Sequence, residues 1–344
     1  MTTRSYRTAA VAAVTLAMFA SSLPAFADDR PDYERYKSGV FMRYLNAEGS
    51  EITKTPSIGL SFGERVLHAT LDSGSTGVVV AASFIPNFDQ LPVLGDGKLT
   101  YTSSGRVMLG SWVTTPLTLS GKDGASVTTE PMPVLAVTRV ACLETARDCR
   151  PSDDPRDIAM VGIGFGREGD RQGQSTPDKN PVLRVAAEGE QRKGYILTAE
   201  GIHVGLTREN TRGDYRFLKL ERQADLPDWK GVPACISLSG QVPPACGSML
   251  VDTGVGAMFM TVPPSQAASG PLPDGTPVAI LLGTDAASEP LYSFNSGDMS
   301  PITPSTVHLD VSDKPPFVNT SFHFLNGFDV LYDADGGYAG FRKR

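Results

Sequence analysis

Ala69-Thr70-Leu71-Asp72-Ser73-Gly74 and Ser248-Met249-Leu250-Val251-Asp252-Thr253-Gly254 are two versions of one frame. Each runs through mostly apolar residues to an Asp, then a small hydroxyl residue, then Gly. Small and apolar residues follow in both, at Val78–Ala82 and Ala257–Val262. The two aspartates stand 180 residues apart, one in each half of the chain, and no third copy exists. An Asp ending a strand before a hydroxyl residue and Gly sits on a tight turn that a larger side chain would obstruct. Two such turns related by an approximate two-fold axis would bring Asp72 and Asp252 together. Carboxyls that close cannot both ionise, so the pair holds one proton between them. One member can then take a proton from water while the other polarises a carbonyl. Such chemistry requires no metal, cofactor or covalent intermediate, which suits a chain with only four His and four Cys.

The surrounding sequence reads as all-β. Short stretches alternate apolar and polar residues between Gly, Pro, Asn and Asp turns, at Ser57–Phe62, Arg65–Leu71, Lys98–Thr102, Val107–Leu119, Ile202–Leu206 and Tyr215–Leu220. Helical periodicity is scarce. The sequence predicts a short helix over Pro181–Glu190, with Asn180 as its N-cap, and a weaker one over Gln266–Ser269.

Motif by motif, over most of residues 50–344, the chain resembles the pepsin-like aspartic peptidases, a family related to the retroviral enzymes, and within it a bacterial secreted type. Leu71-Asp72-Ser73-Gly74-Ser75-Thr76-Gly77 and Leu250-Val251-Asp252-Thr253-Gly254 match the two catalytic loops. Ser57–Gly63 looks like the strand before the first loop, and Leu99–Gly105 like the flap hairpin. Ile158–Gly164 is similar to the apolar-apolar-Gly segment bracing that loop, and Val330–Asp333 with Ala339–Phe341 to the last hairpin. The resemblance implies a bilobal fold, two β-barrel-like lobes around a central cleft. The expected lobes are 28–195, with the first Asp and the flap, and 196–344, with the second.

It further implies an aspartic endopeptidase acting on an extended peptide or protein substrate, with Asp72 and Asp252 as the catalytic pair. Ser73 and Thr253 would cross-link the loops, Gly74 and Gly254 would complete the turns, and Ser75 would bond the outer oxygen of Asp72. Tyr101 would be the flap tyrosine over the scissile bond. Val255 stands where the family usually has a hydroxyl, which implies a less acidic optimum. Val79 replaces a common Trp, the flap reads Thr-Ser-Ser-Gly after Tyr101, and Val318-Asn319-Thr320-Ser321 lacks the expected Gly. The alternative is a non-catalytic pepsin-like protein that binds a peptide or protein partner in the cleft.

Residues 1–27 read as a signal peptide: Arg4 and Arg7, an apolar stretch from Ala9 to Phe19, then Ala25-Phe26-Ala27 before Asp28. The stretch is too short to span a bilayer, so no stable membrane anchor is expected after cleavage. The expected product is exported, periplasmic or secreted, monomeric, and active without removal of a prosegment. Export permits disulfides. Four cysteines allow three connectivities, of which the local one, Cys142 with Cys149 and Cys235 with Cys246, is the natural choice. A net charge of −7 argues against nucleic acid as a partner.

Other motifs carry less. Gly162-Ile163-Gly164-Phe165-Gly166 follows an apolar run but precedes polar, turn-rich sequence rather than a helix, so it is a poor dinucleotide loop. The four histidines are scattered. Trp112 and Trp229 read as packing residues, and Asn319-Thr320-Ser321 is a formal glycosylation pattern.

Overall fold

A computed structural model describes residue 1 and residues 30–101, 104–146, 149–167, 175–186, 189–285 and 288–344. The signal-peptide reading, and Thr102 and Ser103 of the hairpin, lie outside the described residues.

From Pro31 onward the chain is all-β, with strands in three sheets and, among the described residues, only 3-10 helices of three to five residues. The nine-stranded sheet belongs to the first half. Its central five strands, in spatial order, are Met132–Cys142, Thr76–Ala81, Ala159–Ile163, Val66–Asp72 and Ser57–Ser61. The eight-stranded sheet belongs to the second half. Its corresponding five are Val307–Val311, Met258–Val262, Phe317–Asn319, Ala245–Leu250 and Val232–Leu238.

The two series agree in direction as well as order. Ala159–Ile163 runs parallel to Val66–Asp72 and antiparallel to Thr76–Ala81. Phe317–Asn319 runs parallel to Ala245–Leu250 and antiparallel to Met258–Val262. In each half, then, a short bracing strand wedges between the strand that enters the Asp turn and the strand that leaves it. The register agrees too. Met160 faces Thr70 and Val79, two residues before and seven after Asp72. Asn319 faces Leu250 and Phe259, the same two places relative to Asp252. Met160 and Asn319 are therefore equivalent positions.

The strand that leaves the first Asp turn has neighbours on both sides and reads as an apolar run, as a strand buried on both faces should. Every residue of Thr76–Ala81 is buried, and Ile58, Leu60, Leu71, Val78, Val161, Met258, Met260 and Val318 belong to one continuous core.

The third sheet has six antiparallel strands, ordered Val40–Arg43, Gly201–Leu206, Arg192–Leu197, Phe328–Asp333, Tyr338–Lys343 and Tyr215–Lys219. It joins residues far apart in sequence, for example Val40 with Val204 and Tyr195 with Tyr332. The expected division near residue 195 falls inside its strand Arg192–Leu197. Asp333, fully buried, takes Arg192 through Nε and Nη2 at 3.0 and 2.8 Å, the Tyr33 hydroxyl at 3.1 Å and the Gly336 N–H at 2.8 Å.

Both expected helices are corrected. Among the described residues of Pro181–Glu190 only one 3-10 turn forms, Pro181–Leu183. Asn180 does cap it, its Oδ1 accepting the Val182 N–H at 3.1 Å. The turn cannot extend because the Arg184 carbonyl accepts the Glu130 N–H and Val185 bridges Thr129. Gln266–Ser269 has no helix; the Gln266 N–H closes a turn on the Pro263 carbonyl. The single run expected over Val107–Leu119 is two strands, Arg106–Thr115 and Thr118–Ser120, divided at Pro116. Proline lacks the N–H that a continuous ladder would need.

The cysteines pair locally. Cys142–Cys149 closes the loop after a long strand, and Cys235–Cys246 joins directly opposed residues of a hairpin. Among the described residues, no helix is long and apolar enough to cross a membrane.

Candidate active site

The two Asp turns meet, and reciprocal hydrogen bonds clasp them. The Ser73 N–H donates to Thr253 Oγ1 at 2.9 Å, and the Thr253 N–H donates to Ser73 Oγ at 3.0 Å. The Ser73 hydroxyl donates onward to the Val251 carbonyl, and the Thr253 hydroxyl to the Leu71 carbonyl, both at 2.7 Å. All four groups are buried, where an unpaired N–H or C=O would be costly. A hydroxyl is the smallest side chain that both accepts and donates, which explains the residue type at both places.

The clasp brings Asp72 and Asp252 face to face, each less than a tenth exposed. Each carboxylate accepts the N–H of the Gly two residues on: Gly74 to Asp72 Oδ1 at 2.7 Å, Gly254 to Asp252 Oδ1 at 2.8 Å. These glycines have a further reason beyond the turn itself. A Cβ on Gly74 would stand 2.4 Å from Asp252 Cγ, and one on Gly254 would stand 2.6 Å from Asp72 Oδ1. Each glycine clears space for the carboxyl from the other half.

The outer oxygens are served differently. Asp72 Oδ2 accepts the Ser75 hydroxyl at 2.5 Å. Val255, the residue equivalent to Ser75, has no donor to offer. Asp252 Oδ2 instead accepts the Asn319 side-chain amide at 2.6 Å. The Asn319 carbonyl accepts the Ser321 N–H at 3.1 Å, which leaves the NH₂ group for the carboxylate.

Burial pushes the Asp252 carboxyl up to about 7, and the negative charge of Asp72 adds to it. The Asn319 amide and the Gly254 N–H pull in the opposite direction by bonding the ionised form. Protons on such a pair belong to both groups, and the arrangement retains one of them well above the ordinary carboxylate range.

Tyr101 ends the strand Val93–Tyr101, which pairs with Arg106–Thr115 as a hairpin. It is half-buried, and its hydroxyl lies 2.7 Å from Met160 Sδ. The same sulfur is 3.8 Å from Ser75 Oγ. Met160 thus connects the hairpin tyrosine to the Asp72 turn.

Two residues of this site escape sequence reasoning. Met160 is hidden inside an apolar run, and Asn319 inside a segment notable only for its missing Gly and its glycosylation pattern. The structure explains both features of that segment. A Cβ on Gly162 would stand 2.8–2.9 Å from the backbone of residues 75–77. Its equivalent, Ser321, takes φ 66°, ψ 176°, a conformation that glycine enters most easily. Ser321 is held there by its N–H bond to Asn319 and by its hydroxyl, which accepts the His323 N–H at 3.3 Å. The Asn319 amide is occupied by Asp252, and Thr320 and Ser321 are fully buried. The available signal was the exchange itself: a hydroxyl lost at 255 and an amide gained on the bracing strand.

The decoys take structural roles. Gly162 and Ile163 belong to the bracing strand, and the Gly164 N–H donates to the Ser75 carbonyl. Trp229 is buried, with its indole N–H on the Ala334 carbonyl, and His68 is exposed on its strand. Among the described residues, no cluster of His, Cys, Asp and Glu could hold a metal ion.

No protein-family model matches the chain, and no curated protein matches it.

Proposed function

We propose that this chain is an exported, bilobal, pepsin-like aspartic endopeptidase. The observation that carries this reading is the clasped pair of Asp turns, which sets two buried carboxyls opposite each other. With the shared proton on Asp252, Asp72 is the base that takes a proton from a water placed between the carboxyls. The water oxygen bonds to the peptide carbonyl carbon as Asp252 gives its proton to the carbonyl oxygen. The resulting gem-diol collapses. Its C–N bond breaks, one hydroxyl proton returns to the pair, and the leaving nitrogen takes the proton held by Asp72. Atoms balance: one water is consumed, and one carboxyl and one amine form. The N–H bonds from Gly74 and Gly254 hold the carboxyls in their turns, and that preorganisation is the protein's main contribution.

Cleavage of a broad peptide library from pH 3 to 7 tests the reading. The Asp252→Ala protein and a transition-state-mimicking inhibitor of aspartic peptidases serve as controls. Cleavage abolished by both is the expected result. Absence of cleavage at every pH by folded protein overturns it, and leaves a pepsin-like protein that binds a peptide partner without turnover.

A further inference from the structure

The two halves give each carboxylate one side-chain donor on its outer oxygen, from different places. In the first half the donor is in the loop: Ser75, three residues after Asp72. In the second half that place is Val255, and the donor is on the bracing strand: Asn319, 67 residues after Asp252. The bracing-strand equivalent of Asn319 is Met160, which reaches only as far as Ser75, at 3.8 Å, and Tyr101. Loop hydroxyl with bracing thioether in one half has become apolar loop residue with bracing amide in the other.

We propose that Asn319 is a positioning residue of the aspartate pair, supplying from the bracing strand the bond to Asp252 that a loop hydroxyl would otherwise supply. The assignment deepens the peptidase reading and rests on it for its catalytic meaning, though not for its geometry. Val255 is then no defect, because its missing donor is present elsewhere. The Asn319 amide is fixed at both ends, on Asp252 Oδ2 and on the Ser321 N–H, so it orients the carboxyl as well as stabilising its ionised form. Its hold on Ser321 also accounts for a non-glycine residue at φ 66° beside the site.

Among the described residues, the other groups that act on the Asp252 titration are Asp72, which faces it across the clasp, and the Gly254 N–H. Tyr332, whose phenol burial drives far upward, feels the Asp252 charge, and Arg167 acts on that phenol in the opposite sense.

The experiment follows the Asp252 carboxyl by ¹³C NMR titration, assigned by its absence in Asp252→Asn, beside the pH profile of kcat/KM. Asn319→Leu keeps the volume and removes the donor. Its carboxyl titration and the alkaline limb of its profile are expected to move up by about one unit or more, as loss of a charge-assisted hydrogen bond requires. Adding Val255→Thr to Asn319→Leu is expected to move both back, which a merely structural role for Asn319 would not allow. An unchanged titration in Asn319→Leu, or a shift that the new hydroxyl does not reverse, overturns the proposal. Should Asn319→Leu fail to fold, Asn319→Ala takes its place: an upward titration of the Asp252 carboxyl is expected, and no change overturns the proposal. Wild-type protein that cleaves nothing sinks the peptidase reading, while the carboxyl titration still decides the role of Asn319.

Discussion

Ser73 and Thr253 each accept the other's backbone N–H on a side-chain hydroxyl, across 180 residues of sequence. Neither bond can form without the other half, so each turn is templated by its counterpart. Thr253→Val removes the acceptor for the Ser73 N–H and the donor for the Leu71 carbonyl while keeping the side chain's shape. Leaving both groups buried and unpaired is expected to cost roughly 2–4 kcal/mol, against less than about 1 kcal/mol for Thr253→Ser. Denaturant unfolding of the three proteins measures the difference.

On the peptidase reading, Gly74→Ala separates activity from stability. Its methyl group would stand 2.4 Å from Asp252 Cγ, so the carboxyl must move. A displacement of about 1 Å at reacting groups can cost on the order of 10²-fold in rate. Gly74→Ala is expected to lose at least that in kcat/KM, and Gly254→Ala to behave alike through Asp72. Kinetics beside circular dichroism check that the fold persists.

Stability should depend on pH with a sign opposite to that of a salt-bridged aspartate. Burial, with the charge of Asp72, pushes the Asp252 carboxyl up to about 7 in the folded chain from an ordinary value near 3.8. Between those values the folded state holds the extra proton, so stability is full below about pH 4 and declines as pH rises to about 7. The decline is on the order of a few kcal/mol. Asp252→Asn cannot titrate there and is expected to flatten that part of the curve. Unfolding free energies at half-unit steps from pH 4 to 8 provide the comparison.

Arg192 and Asp333 permit a test away from the aspartate pair. Asp333 is fully buried, and Arg192 grips it through two nitrogens. Arg192→Met would leave a buried charge without its cation and is expected to destabilise the fold by about 3–5 kcal/mol. The combined Arg192→Met, Asp333→Leu chain is expected to recover much of that loss. Thermal unfolding of the single and double variants checks it.

What the sequence discloses depends on how local the cause is. The strand Ser57–Ser61 is legible because its alternation is driven by its own faces, and the two Asp turns because the same short frame is written twice, although the bonds that fix its residue types cross between the halves. The helix expected at Pro181–Glu190 failed because Arg184 and Val185 are claimed by Glu130 and Thr129, partners that a local window does not contain. The pairing of Val40 with Val204 is equally invisible to local pattern. Asn319 was hidden for a sharper reason. Its importance follows from a register, opposite Leu250 and Phe259, that becomes legible only when the two halves are superimposed strand by strand.

The six-stranded sheet sets a schedule on synthesis. Its strand Arg192–Leu197 pairs with Phe328–Asp333, which the ribosome makes more than 130 residues later. The Asp72 turn likewise emerges long before Thr253 can clasp it. Until then Asp72 faces no partner carboxyl. On the peptidase reading proposed above, an unfinished copy would therefore carry no working site.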